Sequence, residues 1–443
     1  MIALSFALRS SSILIRPSCR SLTCGGGNRK SCKLLVLGGG TGGCTVASKF
    51  ACKLGKDKVI IVEPTLEHYY QPMLTLIGGG IKKLDDAKRQ MKDVLPKGAI
   101  WVNDRVVYIE PGTNTVRTEN GTEISYEYLV IALGIDMNFN KIPGLVEGLE
   151  ENNSQVCSNY SPKYVNKTFK SLQKIKKGQA VFSFPNTPVK CAGAPLKACL
   201  ISEDYFRKEN KRDNIKVIYR TSLPTIFSAK HYASKLLELC EQRDIDVGLK
   251  KELVKVKTLS KEAIFRNIER PAETETIKYA MLHVTPPMSA PNVLKTGLKL
   301  VDSNGFLNVN KATLQHIEYK NIYGIGDCTN LPTSKTAAAV AAQSGVLFEN
   351  LLADMKGDKT PKATYDGYTS CPLVTGYQNC IMAEFDYNLQ PLETFPIDQR
   401  NEHRSMYFMK KDIMPLLYWH AMLKGYWSGP KMVRKILHFG TGK

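Results

Sequence analysis

The sequence has no two cysteines at the spacing Cys-x-x-Cys, although it contains 12 cysteines in 443 residues. A zinc knuckle, a thioredoxin-type dithiol and an iron–sulfur run all use that spacing, so these sites are unsupported. The seven histidines show no metal-ligand spacing and no Ser/His/Asp grouping, which leaves a zinc enzyme or a hydrolase without support. No secretory signal is recognised, so we expect reduced thiols, and any pair that does bond is more often catalytic than structural.

The sequence also lacks a long apolar run and lacks acidic residues near its start. No apolar run reaches the ~18 residues that a transmembrane helix needs. No Asp or Glu precedes Asp57, and residues 1–30 combine Arg9, Arg16 and Arg20 with several serines. An Arg-rich, Ser-rich, acid-free N-terminus is typical of a mitochondrial transit peptide, and the alternative is a disordered basic tail. We therefore predict a transit peptide over residues 1–30.

The net charge of +20 is concentrated at the two ends of the chain. Residues 1–30 carry five net positive charges, and residues 400–443 carry nine Lys/Arg against two acidic residues. In the tail these cations alternate with apolar and aromatic residues such as Leu417, Trp419 and Trp427. This pattern predicts an amphipathic segment in the lipid interface, and the alternative is a helix packed on the protein's own core.

A short apolar strand over residues 33–37 runs directly into a glycine-rich turn and a helix-like stretch. The turn matches G-x-G-x-x-G at Gly38, Gly40 and Gly43. These glycines allow a tight turn, a close approach of pyrophosphate and the packing of helix on strand. A second strand over residues 59–62 ends in Glu63, whose carboxylate can accept hydrogen bonds from ribose hydroxyls. The pattern predicts a dinucleotide site.

Two further segments distinguish FAD from NAD. Residues 128–134 form an apolar strand that ends in a small-residue turn, and residues 321–327 form a strand that ends in Gly326-Asp327. This pairing resembles the flavoproteins with two dinucleotide-binding domains, in which the Gly-Asp carboxylate holds the ribityl chain of FAD. The resemblance implies FAD as the cofactor, with Asp327 as a ligand; taken alone, Gly-Asp after a strand is also a common turn.

The second glycine fingerprint, where such flavoproteins bind NAD(P)H, is missing. The strand over residues 179–184 is followed by a Pro-rich turn over residues 185–195 that contains Cys191 in place of the first two glycines. This departure argues against a pyridine-nucleotide substrate. In that turn Lys190 and the helix start near Pro195 are expected to stabilise a thiolate.

Cys371 occupies another turn fixed by proline, 180 residues after Cys191. Taken singly, each cysteine is more often an inert core residue. In a chain with a flavin site and no NAD(P)H site, the two become a candidate redox pair.

Four segments together resemble the sulfide:quinone oxidoreductase family of mitochondria. They are residues 184–195, 283–288, 324–339 and 365–376. The resemblance implies that Cys191 and Cys371 are the redox-active pair beside FAD. It also implies that hydrosulfide attacks their disulfide, at Cys371, that a small acceptor such as glutathione or sulfite removes the sulfane sulfur, and that the electrons pass through FAD to ubiquinone.

The resemblance implies further roles for single residues. Lys335 is expected near the flavin, where it can stabilise the reduced ring, and the alternative is a surface lysine. Cys157 matches a third redox cysteine of bacterial relatives, and we expect it to be a buried spectator. The family's other FAD contacts correspond to Thr41, Gly42, Gln71 and Val106.

We therefore predict an α/β protein with two Rossmann-like domains, of which the FAD domain is discontinuous in sequence, and a C-terminal amphipathic membrane-binding segment. The predicted divisions are a transit peptide (1–30), the first part of the FAD domain (31–150), a second Rossmann-like domain without an NAD(P)H fingerprint (151–309), the second part of the FAD domain (310–399) and the tail (400–443).

The predicted partners are hydrogen sulfide, ubiquinone, the sulfur acceptor and the inner mitochondrial membrane, on its matrix side, and no nucleic acid. Two other functions stay open. A type II NADH:quinone oxidoreductase would need the missing glycine fingerprint. A non-catalytic mitochondrial flavoprotein that binds nucleic acid would need a basic body, whereas the excess charge lies at the ends.

Overall fold

The computed structural model describes residues 28–440, and its first part consists of nine strands and four α-helices. The strands are β1 (Arg29–Leu37), β2 (Val59–Val62), β3 (Glu67–Tyr69), β4 (Lys88–Gln90), β5 (Ala99–Val102), β6 (Val106–Glu110), β7 (Thr115–Thr118), β8 (Glu123–Ile131) and β9 (Asp136–Met137). The helices are α1 (Thr41–Leu54), α2 (Leu74–Gly78), α3 (Met91–Val94) and α4 (Leu145–Glu150). β2 is buried along its whole length, as a central strand covered on both faces must be.

The middle of the chain alternates strands and helices and then adds an antiparallel meander. The strands are β10 (Val156–Cys157), β11 (Gly178–Phe184), β12 (Ile215–Thr221), β13 (Asp246–Gly248), β14 (Lys251–Lys257), β15 (Glu262–Asn267), β16 (Thr274–Lys278), β17 (Met281–Val284) and β18 (Met288–Ser289). The helices are α5 (Val165–Lys174), α6 (Ala194–Lys208) and α7 (Lys230–Gln242).

The last part returns to the first sheet and ends in helical segments. Its strands are β19 (Ile322–Gly324), β20 (Thr369–Val374) and β21 (Cys380–Phe385), and its helices are α8 (Ala337–Met355), α9 (Arg404–Phe408), α10 (Met414–Leu417) and α11 (Lys431–Leu437). Two π-helical turns, Met409–Ile413 and Tyr418–Met422, make residues 404–422 one unbroken helical segment.

Two mainly parallel sheets organise the molecule. The first has the order β5-β2-β1-β8-β7-β6, and the second is parallel throughout with the order β10-β17-β11-β12-β13. In the first sheet β8 pairs with β7 through its beginning and with β19 through its end. A strand from residue 322 thus completes a sheet that begins at residue 29, which confirms the predicted α/β class and the discontinuous dinucleotide-binding fold.

The start of β1 shortens the predicted leader by two residues. β1 begins at Arg29, which pairs with Glu123, so Arg29 and Lys30 belong to the sheet although the predicted leader included them. The rest of that leader, residues 1–27, lies outside the described residues.

The tail divides its apolar residues between the core and the surface. The buried group is Tyr418, Trp419, Met422 and Leu423, and the exposed group includes Phe408, Leu416, Met432 and Ile436. Packing on the protein's own core, which the sequence left as an alternative, therefore describes one part of the tail. In residues 28–440 no helix has the length and apolarity needed to cross a membrane.

Candidate active site

A cavity of about 1540 Å³ runs between the two sheets and the C-terminal tail. Most of the site residues predicted from the sequence line it: Gly38, Gly40, Thr41, Gly42, Glu63, Gln71, Val106, Cys191, Asp327 and Lys335. Gly43 and Cys371 lie outside that lining. Its volume exceeds the several hundred Å³ of ordinary small-molecule pockets and leaves room for a dinucleotide together with a second ligand.

The glycine-rich turn has the geometry that a dinucleotide needs. A Cβ on Gly38, whose φ is +97°, would lie 2.5 Å from the carbonyl oxygen of Ala132, and one on Gly43 would collide with the carbonyl oxygen of Gly38. A Cβ on Gly40 would meet nothing, because Gly40 faces the cavity. The turn leads into the N-terminus of α1, where unpaired backbone N–H groups attract phosphate. These residues fit the pyrophosphate of FAD.

Glu63 holds this turn in place. One carboxylate oxygen accepts a 2.7 Å hydrogen bond from the Gly39 N–H, and the other accepts from the N–H and the hydroxyl of Thr65. The carboxylate also lines the cavity at the end of β2. Binding of the ribose by Glu63 stays a prediction, and the structure adds that this carboxylate fixes the turn next to it.

Lys335 holds the Gly-Asp turn through hydrogen bonds to its backbone. Its Nζ donates to the carbonyl oxygens of Asp327 (2.7 Å) and Thr329 (2.9 Å) and lies 4.4 Å from the ring centroid of Phe306. Lys335 is partly buried, its ammonium group is bound to these carbonyl oxygens rather than extended into solvent, and burial lowers its pKa. Its role beside the flavin stays a prediction. Burial raises the pKa of the Asp327 carboxyl beside the cavity.

Cys191 and Cys371 meet across the interface of two elements. Cys191 follows β11 with φ +53°, a left-handed conformation that is rare for residues other than glycine. Its N–H donates to the carbonyl oxygen of Lys335 at 2.8 Å, which ties this turn to the Gly-Asp region. Cys371 lies on β20, and the two sulfur atoms are 3.8 Å apart. A disulfide requires ~2.05 Å, so a small movement joins them.

The cation beside this pair is Lys197, which the sequence analysis did not single out. Lys197 lies in the first turns of α6 and is 3% exposed. Its Nζ is 3.2 Å from the sulfur of Cys191 and 3.8 Å from that of Cys371. The hydrogen bond from the Cys371 thiol, together with the Lys197 ammonium group, holds the pKa of Cys191 well below its ordinary value. The same pairing raises the pKa of Cys371, which makes Cys191 the thiolate of the pair.

Lys190, the cation that the sequence placed beside the thiolate, points elsewhere. Its Nζ donates to Oε1 of Gln71 at 2.8 Å. The expectation that Lys190 stabilises Cys191 is therefore wrong, and the cation in contact with this sulfur is Lys197, seven residues further along the chain.

A second buried lysine comes from the tail. Lys410 donates from Nζ to the carbonyl oxygen of Pro72 at 3.0 Å and lines the cavity. Burial and repulsion from Lys197 together lower its pKa to about 8, while the thiolate of Cys191 opposes the shift. Lys410 of the tail thus adds a positive charge that acts on the two sulfur atoms.

Three further thiols are poorly placed for redox chemistry. Cys157, Cys199 and Cys328 are buried. Burial raises the pKa of Cys157 to about 12 and that of Cys328 to about 11, and it raises the pKa of Cys199 as well. Among residues 28–440 no group of His, Cys, Asp and Glu is arranged to hold a metal ion.

A glycine-rich dinucleotide turn, a Gly-Asp turn and a cysteine pair that meet in one cavity define the class of flavin-dependent disulfide oxidoreductases. The pyridine nucleotide-disulphide oxidoreductase family matches residues 32–345 of the chain. FAD is the cofactor, and the residues present fit it.

The similar proteins narrow this class. The mitochondrial sulfide:quinone oxidoreductase of Mus musculus is 53% identical over 92% of this chain and 90% of its own length, and that of Dictyostelium discoideum is 42% identical over 90% of this chain and 87% of its own. The crystal structure of the sulfide:quinone oxidoreductase from Aquifex aeolicus, 19% identical, superposes with a TM-score of 0.77 over 93% of this chain and 95% of that one, and so shows a shared fold. The chain belongs to the sulfide:quinone oxidoreductase family.

Proposed function

We propose that this protein oxidises hydrogen sulfide through the pair Cys191 and Cys371 and passes two electrons by way of FAD to ubiquinone. The observation that carries the proposal is the 3.8 Å contact of the two sulfur atoms beside the dinucleotide cavity, with Lys197 in contact with both. Family membership supports the same reaction.

The oxidised enzyme holds a disulfide between the two cysteines. Hydrosulfide attacks the sulfur of Cys371, the S–S bond breaks, and Cys191 leaves as a thiolate while Cys371 carries a persulfide. Exchange is faster when the leaving thiol has a low pKa, and Lys197 supplies that condition at Cys191.

A small nucleophile such as glutathione or sulfite then removes the sulfane sulfur and leaves Cys371 as a thiolate. When the two thiolates form the disulfide again, two electrons are released. FAD, when bound, accepts these two electrons and passes them to the quinone. Lys197 and Lys410 keep the site positive, so anionic hydrosulfide and an anionic acceptor are both attracted.

The predicted cofactor contacts keep their roles as part of this proposal. Thr41 and Gly42 begin α1 beside the pyrophosphate site, Gln71 is held by Lys190, and Asp327 is held by Lys335. Gly38, Gly40, Gly43, Glu63 and Val106 complete the set.

The site of action is the mitochondrion, at the matrix face of the inner membrane. The named relatives are mitochondrial, and the tail that walls the cavity also exposes apolar side chains. Met432 and Ile436 lie one turn apart on α11 beside Lys431 and Lys435, which favours a surface that rests in anionic lipid. A lipid-dissolved quinone is reached from such a surface.

Stopped-flow absorbance of the FAD after addition of sulfide tests the reaction, with and without glutathione or sulfite. We expect Cys191→Ser and Cys371→Ser to retain FAD and lose sulfide-dependent quinone reduction by at least ~10³-fold, because nucleophile and leaving group act as a unit. Cys157→Ala is the matched control and should keep its turnover. Near-wild-type turnover in either serine variant, or bleaching of the FAD by NADH, would contradict the proposal.

A further inference from the structure

The C-terminal tail reaches the glycine-rich turn through a buried chain of hydrogen bonds. The hydroxyl of Tyr418 lies 2.9 Å from Oγ1 of Thr41 and 2.6 Å from Nε2 of His68. Nδ1 of His68 lies 3.0 Å from the carbonyl oxygen of Gly39. Tyr418 is 2% exposed, although it follows the turn by more than 370 residues.

The direction of this chain follows from its ends. Burial lowers the pKa of His68 to about 4, so the ring is neutral near pH 7. The carbonyl oxygen of Gly39 only accepts, so Nδ1 carries the ring proton and Nε2 is an acceptor. Tyr418 therefore donates to His68, and Thr41 donates to Tyr418. Without the Tyr418 hydroxyl, the Thr41 hydroxyl would lose this acceptor and Nε2 of His68 would lose this donor.

The same helix, α1, holds the tail at two more points. The Ser48 hydroxyl donates to the carbonyl oxygen of Leu423 at 2.6 Å, and Nζ of Lys49 donates to the carbonyl oxygen of Gly425 at 2.8 Å. Because residues seven apart lie on one face of a helix, Thr41 and Ser48 present a single docking line to the tail.

The tail also forms one wall of the cavity. Leu417, Tyr418, Met422, Trp427 and Val433 all line it opposite the residues of the two sheets. A cofactor that enters this space can leave only past these side chains or through the remaining opening. Tail docking and cofactor binding therefore act on the same helix, α1, and on the same wall.

We propose that Tyr418 is a positioning residue for FAD retention, and that the tail and FAD stabilise each other's binding through the chain Thr41–Tyr418–His68–Gly39. FAD orders the glycine-rich turn, which presents Thr41 and Gly39 to the tail. The docked tail in turn fixes the glycine-rich turn and completes one wall of the cavity. This coupling goes beyond the reaction proposed above, because it holds whichever substrate the sulfur pair oxidises.

The first experiment measures FAD release from the full-length holoprotein, by the rise in flavin fluorescence that follows a large dilution. Tyr418→Phe removes two buried hydrogen bonds and should release FAD about 10-fold faster. Tyr426→Phe is the matched control, since Tyr426 belongs to the same tail and is 85% exposed, and it should release FAD at the wild-type rate. Equal release by Tyr418→Phe and wild type would overturn the proposal.

A second variant separates coupling from a local defect. Ser48→Ala loses a tail contact and does not line the cavity, and it should still release FAD several-fold faster. Linkage is reciprocal, so trypsin should cut at Lys424 faster in the apoprotein than in the holoprotein. A wild-type release rate in Ser48→Ala, or equal cleavage of apoprotein and holoprotein, would show that the tail and FAD bind independently.

Discussion

Lys197 is a lysine whose ammonium group lies inside the protein and against two sulfur atoms. A buried lysine without a partner would lose its proton, because burial disfavours charge. Here burial acts in that direction, but the thiolate of Cys191, together with the neighbouring sulfur of Cys371, outweighs it and raises the pKa of Lys197. The lysine and the thiolate of Cys191 are therefore charged together.

Lys197→Met removes the cation and should raise the pKa of Cys191 toward that of an ordinary thiol. The thiolate forms above its pKa, so the ultraviolet absorbance of the thiolate in the reduced protein should appear only at higher pH than in the wild type. Sulfide oxidation near pH 7 should fall about 10- to 100-fold, in proportion to the lost thiolate.

Lys190→Met provides the comparison for this variant. Lys190 precedes Cys191 directly, but its ammonium group is bound to Gln71. We expect the thiolate of Cys191 to titrate in this variant as it does in the wild type. The result that would contradict the assignment is a larger upward shift in Lys190→Met than in Lys197→Met.

At the scale of elements, the turn between β11 and α6 sets the geometry of the sulfur pair. Cys191 has φ +53°, and two residues later Gly193 caps α6 against β20. A Cβ on Gly193 would lie 2.5 Å from the sulfur of Cys371 and 2.7 Å from Cδ2 of Leu373. Both distances are too short for any real Cβ, so this glycine is what lets the helix approach the strand.

Gly193→Ala should therefore push Cys371 away from Cys191 without touching the dinucleotide turn. We expect FAD content near that of the wild type, a disulfide that no longer forms in the oxidised protein, and sulfide-dependent quinone reduction lowered at least ~10²-fold, because a displacement near 1 Å is that costly. Free-thiol titration under oxidising conditions measures the disulfide. Gly98→Ala, whose Cβ would lie an ordinary 3.7 Å from Ala51, is the control. Normal bridging in Gly193→Ala would refute this account.

The elements that the sequence predicted well are those whose residue types are required locally. The glycine-rich turn needs Gly38 and Gly43 because any Cβ would clash there, and β2 needs apolar residues because it is buried on both faces. The Gly-Asp turn is also a contiguous segment. Such requirements are visible in a short window of sequence.

The features that were missed depend on contacts between distant segments. Lys197 resembles a surface lysine until β20 brings Cys371 to α6, and the only local signal was a single cation in the apolar first turns of that helix. Adjacency in sequence predicts that Lys190 is the cation beside Cys191, yet the ammonium group of Lys190 is bound to Gln71. Tyr418 belongs to the amphipathic segment of residues 400–443, and an amphipathic pattern does not reveal whether an apolar face meets lipid or protein.

At the scale of the whole molecule, the buried and the exposed apolar groups of the tail have different roles. The buried group packs on the dinucleotide-binding part, and two of its members, Tyr418 and Met422, also line the cavity. The exposed group includes Met432 and Ile436, which lie beside Lys431 and Lys435 on α11. The excess positive charge of residues 400–443 therefore lies on a segment that contacts both the cofactor cavity and the surface proposed for the membrane.

Substitutions in the exposed group can test membrane association without changing the lining of the cavity. Met432 and Ile436 are 75% and 66% exposed on one face of α11. Transfer of such a side chain into an apolar phase contributes about 1.5–3 kcal/mol, so Met432→Ser with Ile436→Ser should weaken binding to vesicles of phosphatidylcholine and phosphatidylserine by roughly 10²-fold or more. Cosedimentation at rising salt measures this binding, and FAD content should stay unchanged. Leu259→Ser is the matched control, because Leu259 is 98% exposed but lies between β14 and β15, far along the chain from the tail. If the double variant sediments like the wild type, or if Leu259→Ser loses binding equally, the tail is not the membrane-binding surface.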